Sequence, residues 1–456
     1  MREETSMAKP TVDTDTRKRA TEAVSVDEDY DVIGKSVVRE DAVSKVTGKA
    51  IYGGDLYMPG MLYGKVLLST EAHALIKRID TRAAEQMDGV HAVLTAKDIP
   101  GENVYGIALP DQQVLAENKV RFWGEPVALV AAEDPYIAEE ALSKIEVEYE
   151  PIPAVFDPIL ALEANAPQVQ AKGNLILHTR VRKGDFAQGF SDADVIVEDL
   201  FHTHGQDHAP IEPESGMAWV DENETLVVFS SSQYIYRDRR QVVRVMGLPA
   251  NRIRHIASTM GGGFGRKDDV TVEIFVALLA WATKRPVRLA YTRHESMLTQ
   301  THRHPTIVRA RAGATRAGKL TAFEGVAYGD SGAYASLGIF VIKKMALHLG
   351  GPYHWPNYKA DSFSAYTNNP ISGPFRGFGV LQCAVVHENL IDRLAEQVGM
   401  DPLEFRLHNC LREGLSFSTG QTMTEAAGLP ATLERLQEYM VEKELRFDRT
   451  SQAMTS

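Results

Sequence analysis

One stretch near the middle of the chain restricts the fold more than any other. RIRHIAST alternates like a β-strand, MGGGFGRKDD holds four glycines, and VTVEIFVALLAWAT is apolar on nearly every face. A helix without a polar face has to be covered on all sides by protein. The sequence therefore predicts a strand, a glycine-rich loop and a helix buried inside a large protein that mixes strands and helices.

The glycine-rich loop fits neither familiar phosphate-binding pattern. A dinucleotide fingerprint that starts at Gly261 needs a glycine where Arg266 stands, and a P-loop needs a Gly-Lys-Ser/Thr run that this loop lacks. Two explanations remain open. Glycine lets a backbone come very close to a bulky, oxygen-rich group, and it also permits a tight turn that packs a strand against a helix.

Composition narrows the class of protein. With 456 residues the chain is long enough for two or three domains, and 44% hydrophobic with 24% charged residues is typical of a soluble globular protein. The formal net charge of -12 argues against nucleic acid as a partner. No apolar run is long enough to span a membrane and the N-terminus has no apolar signal core, so we expect a cytoplasmic protein.

Candidate metal ligands are sparse. Cys383 and Cys410 are too few for an iron–sulfur cluster or a four-cysteine zinc site, so any redox centre has to come from elsewhere. In FHTHGQDH, His202 and His204 alternate onto one strand face and His208 follows closely, which permits a zinc or iron hydrolase site. No carboxylate-bearing motif such as HExxH accompanies them, which favours ordinary solvated or locally bonded histidines.

The chain divides into four segments. Residues 1–30 are charged and poor in large apolar side chains, which predicts a disordered extension. Alternating and helical patterns predict an α/β unit over 31–165, and an Ala/Pro-rich stretch marks the boundary to a larger mixed unit over 166–425. Residues 426–456 are predicted to form a helix and a polar tail. The expected fold class is α+β.

A second glycine-rich stretch, NNPISGPFRGFGVLQ, also stands directly before a long predicted helix. Arg376 carries a planar guanidinium that suits an anionic oxygen, and a phenylalanine ring such as Phe375 or Phe378 could stack on a planar substrate. A capped helix entry with a hydrophobic staple explains the same residues without a ligand. Both interpretations stay open at this point.

Gln233 ends an apolar strand in SSSQYIYRD and precedes a predicted helix. A neutral amide at such a place can donate to an oxygen bound to a metal, although an ordinary loop hydrogen bond is the commoner fate.

Taken together, these segments resemble the large molybdopterin-binding chain of the molybdenum hydroxylases, the xanthine dehydrogenase and aldehyde oxidase family. The resemblance runs in order from about residue 33 to 421. Its motifs are REDAVSKVTGKAIYGGDLYMPGMLYGKVLLS, VRFWGEPVALVAA, HAPIEPESGMAWV, the Gln233 segment with GLPANRIR, MGGGFGRK, TRHESMLTQTHRHP, YGDSGAYAS and PFRGFG. It implies an N-terminal α/β hammerhead domain followed by the first mixed α+β molybdopterin-binding domain.

The resemblance also implies roles for individual residues. It assigns Gln233, Phe264 and Arg376 to the catalytic centre, with Gln233 bonded to an apical oxygen ligand of the molybdenum. It places the backbone of Gly262, Gly263 and Gly265, together with Phe264 and Arg376, against the molybdenum–molybdopterin cofactor, expected in its cytosine dinucleotide form. Asp268 is expected to face the substrate and Phe378 to stack on it. No side chain is expected to ligate the metal directly, because the pterin dithiolene holds it.

Two departures from the family pattern narrow the substrate. Asp268 stands where xanthine-oxidising relatives have a glutamate, and near Met345 the chain lacks their substrate-orienting arginine. The PFRGFG loop also lacks the cysteine of the CO-oxidising branch. We therefore expect a small aromatic heterocycle or an aldehyde as the substrate, rather than xanthine or CO.

A further departure concerns the length of the chain and its partners. Family chains are nearly twice as long, and their catalytic glutamate stands in a Gly-x-Gly-Glu stretch that does not occur here. The resemblance therefore implies a split enzyme, as in nicotinate dehydrogenase-like proteins, in which a second molybdopterin-binding chain supplies this glutamate and separate subunits carry 2Fe-2S clusters and FAD. Such a chain would be inactive alone. The alternative is a noncatalytic remnant or assembly protein of the same fold.

Overall fold

The computed structural model describes residues 30–33, 35–425, 427–443 and 445. The disordered extension predicted for residues 1–30 lies outside the described part, apart from residue 30. The predicted C-terminal helix is present as Gly428–Glu442, and the polar tail beyond residue 445 lies outside the described part.

The strands of the described part form three sheets. A seven-stranded sheet has the order β11-β10-β9-β12-β1-β5-β3, a five-stranded sheet has the order β7-β15-β14-β13-β8, and a small sheet has the order β4-β2-β6. The strands are β1 (Leu62–Leu68), β2 (Ala74–Asp80), β3 (Val90–Leu94), β4 (Lys119–Val120), β5 (Pro126–Ala132), β6 (Glu146–Pro151), β7 (Leu175–Lys183), β8 (Val195–Thr203), β9 (Ser215–Val220), β10 (Leu226–Ser230), β11 (Ile253–Ala257), β12 (Val287–Ala290), β13 (Thr306–Ala314), β14 (Leu320–Asp330) and β15 (Asn357–Ala365).

Most of the helices pack against these sheets. They are α1 (Ala42–Val46), α2 (Arg82–Glu85), α3 (Pro135–Leu142), α4 (Phe186–Ser191), α5 (Ile235–Met246), α6 (Glu273–Thr283), α7 (Arg293–Thr299), α8 (Gly338–His348), α9 (Val380–Val398), α10 (Pro402–Asn409) and α11 (Gly428–Glu442). Helix α5 ends where Gly247 takes a left-handed conformation with φ of 62°. Because glycine adopts this conformation without a steric penalty, the sequence sets the end of the helix locally.

Helix α6 is enclosed over most of its length, as expected for an apolar helix, although Ala282 near its end is exposed. Every residue from Glu273 to Ala280 is buried, and the helix packs against β9, β10 and β12 of the seven-stranded sheet. Its apolar side chains belong to a large core that also includes Leu62 and Leu129 from the N-terminal unit. Burial of this much apolar surface is the main stabilising contribution to this half of the molecule.

The seven-stranded sheet takes strands from both sides of the expected boundary near residue 165. Strands β1, β3 and β5 belong to the N-terminal unit, and β9 to β12 belong to the larger one. A second core, between the five-stranded sheet and helices α8 and α9, lies wholly within the larger unit. The α+β class is confirmed. In the described part, no helix is both long and apolar enough to cross a membrane.

Candidate active site

Two of the segments singled out in the sequence meet at one edge of the seven-stranded sheet. Strands β10 and β11 are parallel neighbours, with Leu226 opposite Ile253 and Ser230 opposite Ala257. Gln233 follows β10 and the glycine-rich loop follows β11. Because parallel strands present their carboxyl ends at the same edge, the topology brings the amide to the loop.

The side chain of Gln233 binds the loop at two points. Its Oε1 accepts a hydrogen bond from the main-chain N–H of Gly265 at 3.0 Å, and its Nε2 donates to Oδ1 of Asp268 at 2.8 Å. The main-chain N–H of Gln233 also donates to the carbonyl of Lys267 at 2.9 Å. Three residues that the resemblance assigns to separate roles therefore belong to one hydrogen-bonded unit.

The glycines of the loop leave room for neighbouring protein segments. A Cβ atom on Gly261 would lie 2.5 Å from Cβ of Glu212, and one on Gly265, which has φ of 104°, would lie 2.6 Å from the carbonyl oxygen of Pro374. A Cβ on Gly263 would collide with the amide of Gln233. The tight-turn explanation is therefore correct for these positions, and any ligand has to approach a loop that is already closely packed on its protein side.

Buried charges hold the end of the loop in place. Arg266 and Glu214 are both fully buried, and Nε of Arg266 lies 2.6 Å from Oε1 of Glu214, while Asp207 pairs with the same guanidinium. The neighbouring Lys267 is also fully buried, with Nζ 2.8 Å from Oε2 of Glu212. A buried charge without a partner is very unfavourable, so these pairs restrict the loop to one position.

These anchoring residues are not identifiable as such from the sequence. In the sequence, Arg266 only excludes a dinucleotide-binding motif. Glu212 and Glu214 lie within HAPIEPESG, where neither has an assigned role. Charged residues that flank apolar strands are a signal for buried pairs, but their partners are distant in sequence. Glu212 also accepts from the N–H of Gly261 at 2.7 Å and of Gly53 at 3.1 Å, so it joins the N-terminal unit to the loop.

The second glycine-rich loop packs directly on the first. The main-chain N–H of Arg376 donates to the carbonyl oxygen of Phe264 at 2.8 Å. Phe375 is occupied by protein contacts on both sides, because His208 stacks on it at 4.1 Å between ring centres and the guanidinium of Arg303 lies 3.9 Å from its ring centre. Phe375 is therefore a structural residue of this loop.

The two other phenylalanines of the loops both have a left-handed backbone. Phe264 is 48% exposed and has φ of 57°, a left-handed conformation that a bulky residue rarely adopts. Phe378 also has a left-handed conformation, with φ of 51°, and is half-buried beside Lys344, whose Nζ lies 5.9 Å from its ring centre. Residues with a strained backbone concentrate at ligand sites. Here the tertiary contacts of the two loops keep Phe264 and Phe378 in this conformation.

Several donors at the junction of the loops make no hydrogen bond with the described residues. The main-chain N–H groups of Gly262, Gly263 and Phe264 are consecutive and have no acceptor among the described residues. The side chain of Arg376 is exposed and has no hydrogen-bond or ion-pair partner in the described part of the chain. Consecutive free N–H groups, and a guanidinium without a partner on the adjoining loop, fit an oxygen-rich, negatively charged group.

Three carboxyl groups, two at the end of the first glycine-rich loop and one on helix α5, have raised pKa values. Burial raises the pKa of Asp268, and the positive charge of Arg237 partly offsets this. Burial also raises the pKa of Asp269 to about 6, against the hydrogen bond from Ser336. Burial and the neighbouring Glu273 raise the pKa of Asp238 to about 9. Of these three groups, Asp238 is therefore protonated at neutral pH.

The histidine alternative has no support in the described part of the chain. Residues 30–33, 35–425, 427–443 and 445 contain no group of three or more His, Cys, Asp or Glu side chains that could hold a metal ion. Nε2 of His208 donates to the carbonyl of Pro374 at 2.7 Å, and burial lowers the pKa of this histidine to about 4. Its role here is to support the second loop.

Comparison with known proteins identifies the family of the chain. A model of the molybdopterin cofactor-binding domain matches residues 168–410, and a model described as the aldehyde oxidase and xanthine dehydrogenase a/b hammerhead domain matches residues 47–153. The chain belongs to the xanthine dehydrogenase and aldehyde oxidase family. The hammerhead and molybdopterin-binding domains expected from the sequence are confirmed, and the family's relatives are molybdenum-containing oxidoreductases.

Individual members of the xanthine dehydrogenase and aldehyde oxidase family differ in how much of their length the chain covers. The nicotinate dehydrogenase large molybdopterin subunit of Eubacterium barkeri is 41% identical over 414 residues, which are 91% of this chain and 97% of that subunit. A probable xanthine dehydrogenase subunit of Bacillus subtilis (strain 168) is 41% identical over 374 residues, 82% of this chain and 50% of that protein. The structure of the aldehyde oxidoreductase of Desulfovibrio gigas matches with a TM-score of 0.86 at 32% identity, covering 92% of this chain and 47% of that one. The chain therefore spans about half of the latter two.

Proposed function

We propose that this chain is the molybdopterin-binding subunit of a multi-subunit molybdenum hydroxylase. In this proposal the enzyme hydroxylates an aromatic N-heterocycle, or an aldehyde, with oxygen taken from water. The observation that carries the proposal is the row of N–H groups at Gly262, Gly263 and Phe264 without an acceptor among the described residues, held beside Gln233 and the loop of Arg376. A cofactor with a negatively charged, oxygen-rich end fits this arrangement.

Residues of the two loops would hold molybdopterin, in our proposal as the cytosine dinucleotide. In this proposal the cofactor lies against the backbone of Gly262, Gly263 and Gly265 on the side that the protein does not fill, and Arg376 offers a guanidinium without another partner in the described part of the chain. When bound, the cofactor supplies the molybdenum at which the substrate carbon is hydroxylated. Gln233 has one Nε2 hydrogen left after its bond to Asp268, and we assign this hydrogen to the cofactor.

The substrate would lie against Phe378, with exposed Phe264 at the metal end of the loop. An aromatic ring face suits a planar heterocycle by offset stacking. The similarity to a nicotinate dehydrogenase subunit supports an N-heterocycle. Asp268 in place of glutamate, and buried Met345 where xanthine-oxidising relatives have a nearby arginine, support a substrate other than xanthine.

The enzyme would need further subunits. The chain has no Gly-x-Gly-Glu stretch, so we assign the glutamate that acts as a general base to a second molybdopterin-binding chain. Cys383 and Cys410 are both buried and unpaired, so 2Fe-2S clusters and FAD are assigned to separate subunits. Unpaired cysteines also suit a cytoplasmic location, where thiols stay reduced.

Co-expression with the chain that carries Gly-x-Gly-Glu tests the proposal. We expect the purified complex to contain molybdenum and a pterin dinucleotide, and to oxidise nicotinate or a similar heterocycle with an artificial electron acceptor. Oxygen-18 from labelled water should enter the product. The chain alone should show no turnover. A stable complex without molybdenum would favour the noncatalytic remnant or assembly protein, and turnover by the isolated chain would refute the assignment of the base to a partner.

A further inference from the structure

The orientation of the Gln233 amide is determined by its two partners. A main-chain N–H can only donate, so the bond of 3.0 Å from Gly265 requires the amide oxygen at that end. The amide nitrogen therefore faces Asp268, and Oδ1 of Asp268 accepts from it at 2.8 Å. One hydrogen on Nε2 remains for another acceptor.

We infer that Asp268 is a positioning residue that holds the amide of Gln233 in one orientation toward the cofactor. This inference rests on the function proposed above and changes the role expected for Asp268 from the resemblance. Instead of contacting the substrate directly, the carboxyl group of Asp268 would act through Gln233.

The backbone geometry explains why a side-chain contact is needed. The N–H of Gln233 donates to the carbonyl of Lys267 at 2.9 Å, so the main chain is already tied to the loop. Rotation of the side-chain amide is the remaining freedom, and the Gly265 bond restricts only its oxygen end. Asp268 restricts the nitrogen end, and the ion pair between fully buried Lys267 and partly buried Glu212 anchors the residue next to Asp268.

The role predicts a difference between two substitutions at position 268. The contact needs an acceptor oxygen and does not need a negative charge, because Oδ1 can accept whether or not the carboxyl group is protonated. The amide oxygen of asparagine can accept in the same way, whereas alanine has no acceptor. A substrate contact that depends on charge would be lost in both variants.

The first test uses the assembled complex. We expect Asp268→Ala to lower kcat about tenfold with KM little changed, a loss that corresponds to about 1.4 kcal/mol of transition-state stabilisation. Asp268→Asn should keep at least about half of kcat. The double variant Asp268→Ala with Gln233→Ala should be no slower than Gln233→Ala alone, because the two residues act as one unit. A higher KM in both Asp268 variants, or losses that multiply in the double variant, would overturn the inference.

The second test does not depend on a loaded cofactor. In the purified chain labelled with ¹⁵N-glutamine, the side-chain amide signal of Gln233 is assigned through Gln233→Ala. Asp268→Ala should shift this signal and Asp268→Asn should leave it nearly in place. Asp192→Ala is the matched control, since Asp192 accepts from the amide of Gln188 at 2.7 Å on the exposed surface. An unshifted Gln233 signal in Asp268→Ala refutes the positioning role, whereas a complex without molybdenum refutes only the proposed function.

Discussion

The main-chain N–H of Arg376 donates a hydrogen bond of 2.8 Å to the carbonyl oxygen of Phe264. This bond joins two glycine-rich loops that are far apart in sequence, one after β11 and one before α9. It uses the carbonyl of Phe264 and leaves the N–H of that residue without an acceptor among the described residues. The bond therefore brings the free N–H groups of the first loop next to the main chain of Arg376 in the second.

Arg376→Ala should reduce cofactor retention without reducing stability. The side chain is exposed and has no partner in the described part of the chain, so the free energy of unfolding should change by no more than about 0.5 kcal/mol. Molybdenum and pterin per complex should fall, because a guanidinium that binds an anionic oxygen is lost. Arg316→Ala removes another exposed guanidinium and serves as the control. Equal metal content in the two variants would contradict the role of Arg376.

Gly263→Ala should destabilise the loop. The added methyl group would collide with the amide of Gln233 and lie 2.9 Å from Sδ of Met260. Overpacking of this kind costs about 1–3 kcal/mol, which denaturant unfolding can measure. Gly428→Ala provides the comparison, since a Cβ there meets nothing within 4 Å. Unchanged stability of Gly263→Ala would mean that the loop relaxes to accept the methyl group.

Arg266→Met should be the most destabilising of these substitutions. It removes the partner of fully buried Glu214, and an uncompensated buried charge costs about 3–5 kcal/mol. The control is Arg309→Met, which breaks an exposed pair with Glu198 and should cost less than about 1 kcal/mol. Similar midpoints of thermal unfolding for both variants would argue against a structural role for the buried pair.

Gln233→Ala should leave the fold intact and slow the assembled enzyme about tenfold or more, equivalent to about 1.4 kcal/mol. The amide contributes its hydrogen bonds at the end of β10 and takes no part in either hydrophobic core. Circular dichroism and steady-state kinetics on the complex measure the two effects. Gln168→Ala, at an exposed side chain, should match the wild-type protein in both. Unchanged turnover of Gln233→Ala would remove Gln233 from the site.

Asp238→Asn should make stability less dependent on pH. Burial and the neighbouring Glu273 raise the pKa of Asp238 to about 9, so the folded protein keeps a proton that the unfolded chain releases near pH 4. A carboxyl group whose pKa is higher in the folded state than in the unfolded state stabilises the folded protein below the pKa of the unfolded state. This stabilisation is lost as the pH rises toward 9. Between these two pKa values, Asp238 should lower the free energy of unfolding by about 1.4 kcal/mol for each unit by which the pH rises.

Denaturant unfolding between about pH 5 and about pH 8, inside this window, compares Asp238→Asn with the wild-type protein. The variant should gain stability relative to the wild-type protein as the pH rises. Parallel pH profiles for the two proteins would show that Asp238 is ionised in the folded state.

Most regular elements were predictable because their patterns are local. The enclosed helix α6 and the strands on either side of it follow from periodicity alone. Strands β9 and β15 do not stand out in the sequence. They are buried on both faces over much of their length, and β15 is rich in small polar residues, so neither shows the alternation that marks a half-buried strand.

The sequence singles out several residues of the candidate site, but it does not show the contacts between them. The resemblance places Gln233 and Gly265 at the cofactor and Asp268 at the substrate, and the structure joins the three in one hydrogen-bonded unit. Arg266 enters the sequence argument only as a residue that breaks a motif, and it proves to be a buried anchor. Pairing between charges that are distant in sequence has no local pattern, so the sequence does not reveal it.

The sequence by itself determined the order of elements, the α+β class, the family and the two glycine-rich loops, because each depends on residues that are neighbours along the chain. Only the tertiary structure decided that the loops join through Phe264 and Arg376, and that Asp268 faces Gln233. It also decided that most of the glycines in the first loop make room for neighbouring segments of the protein. These relationships depend on the parallel pairing of β10 with β11 and on buried ion pairs, whose energies arise between segments that meet only in the folded chain.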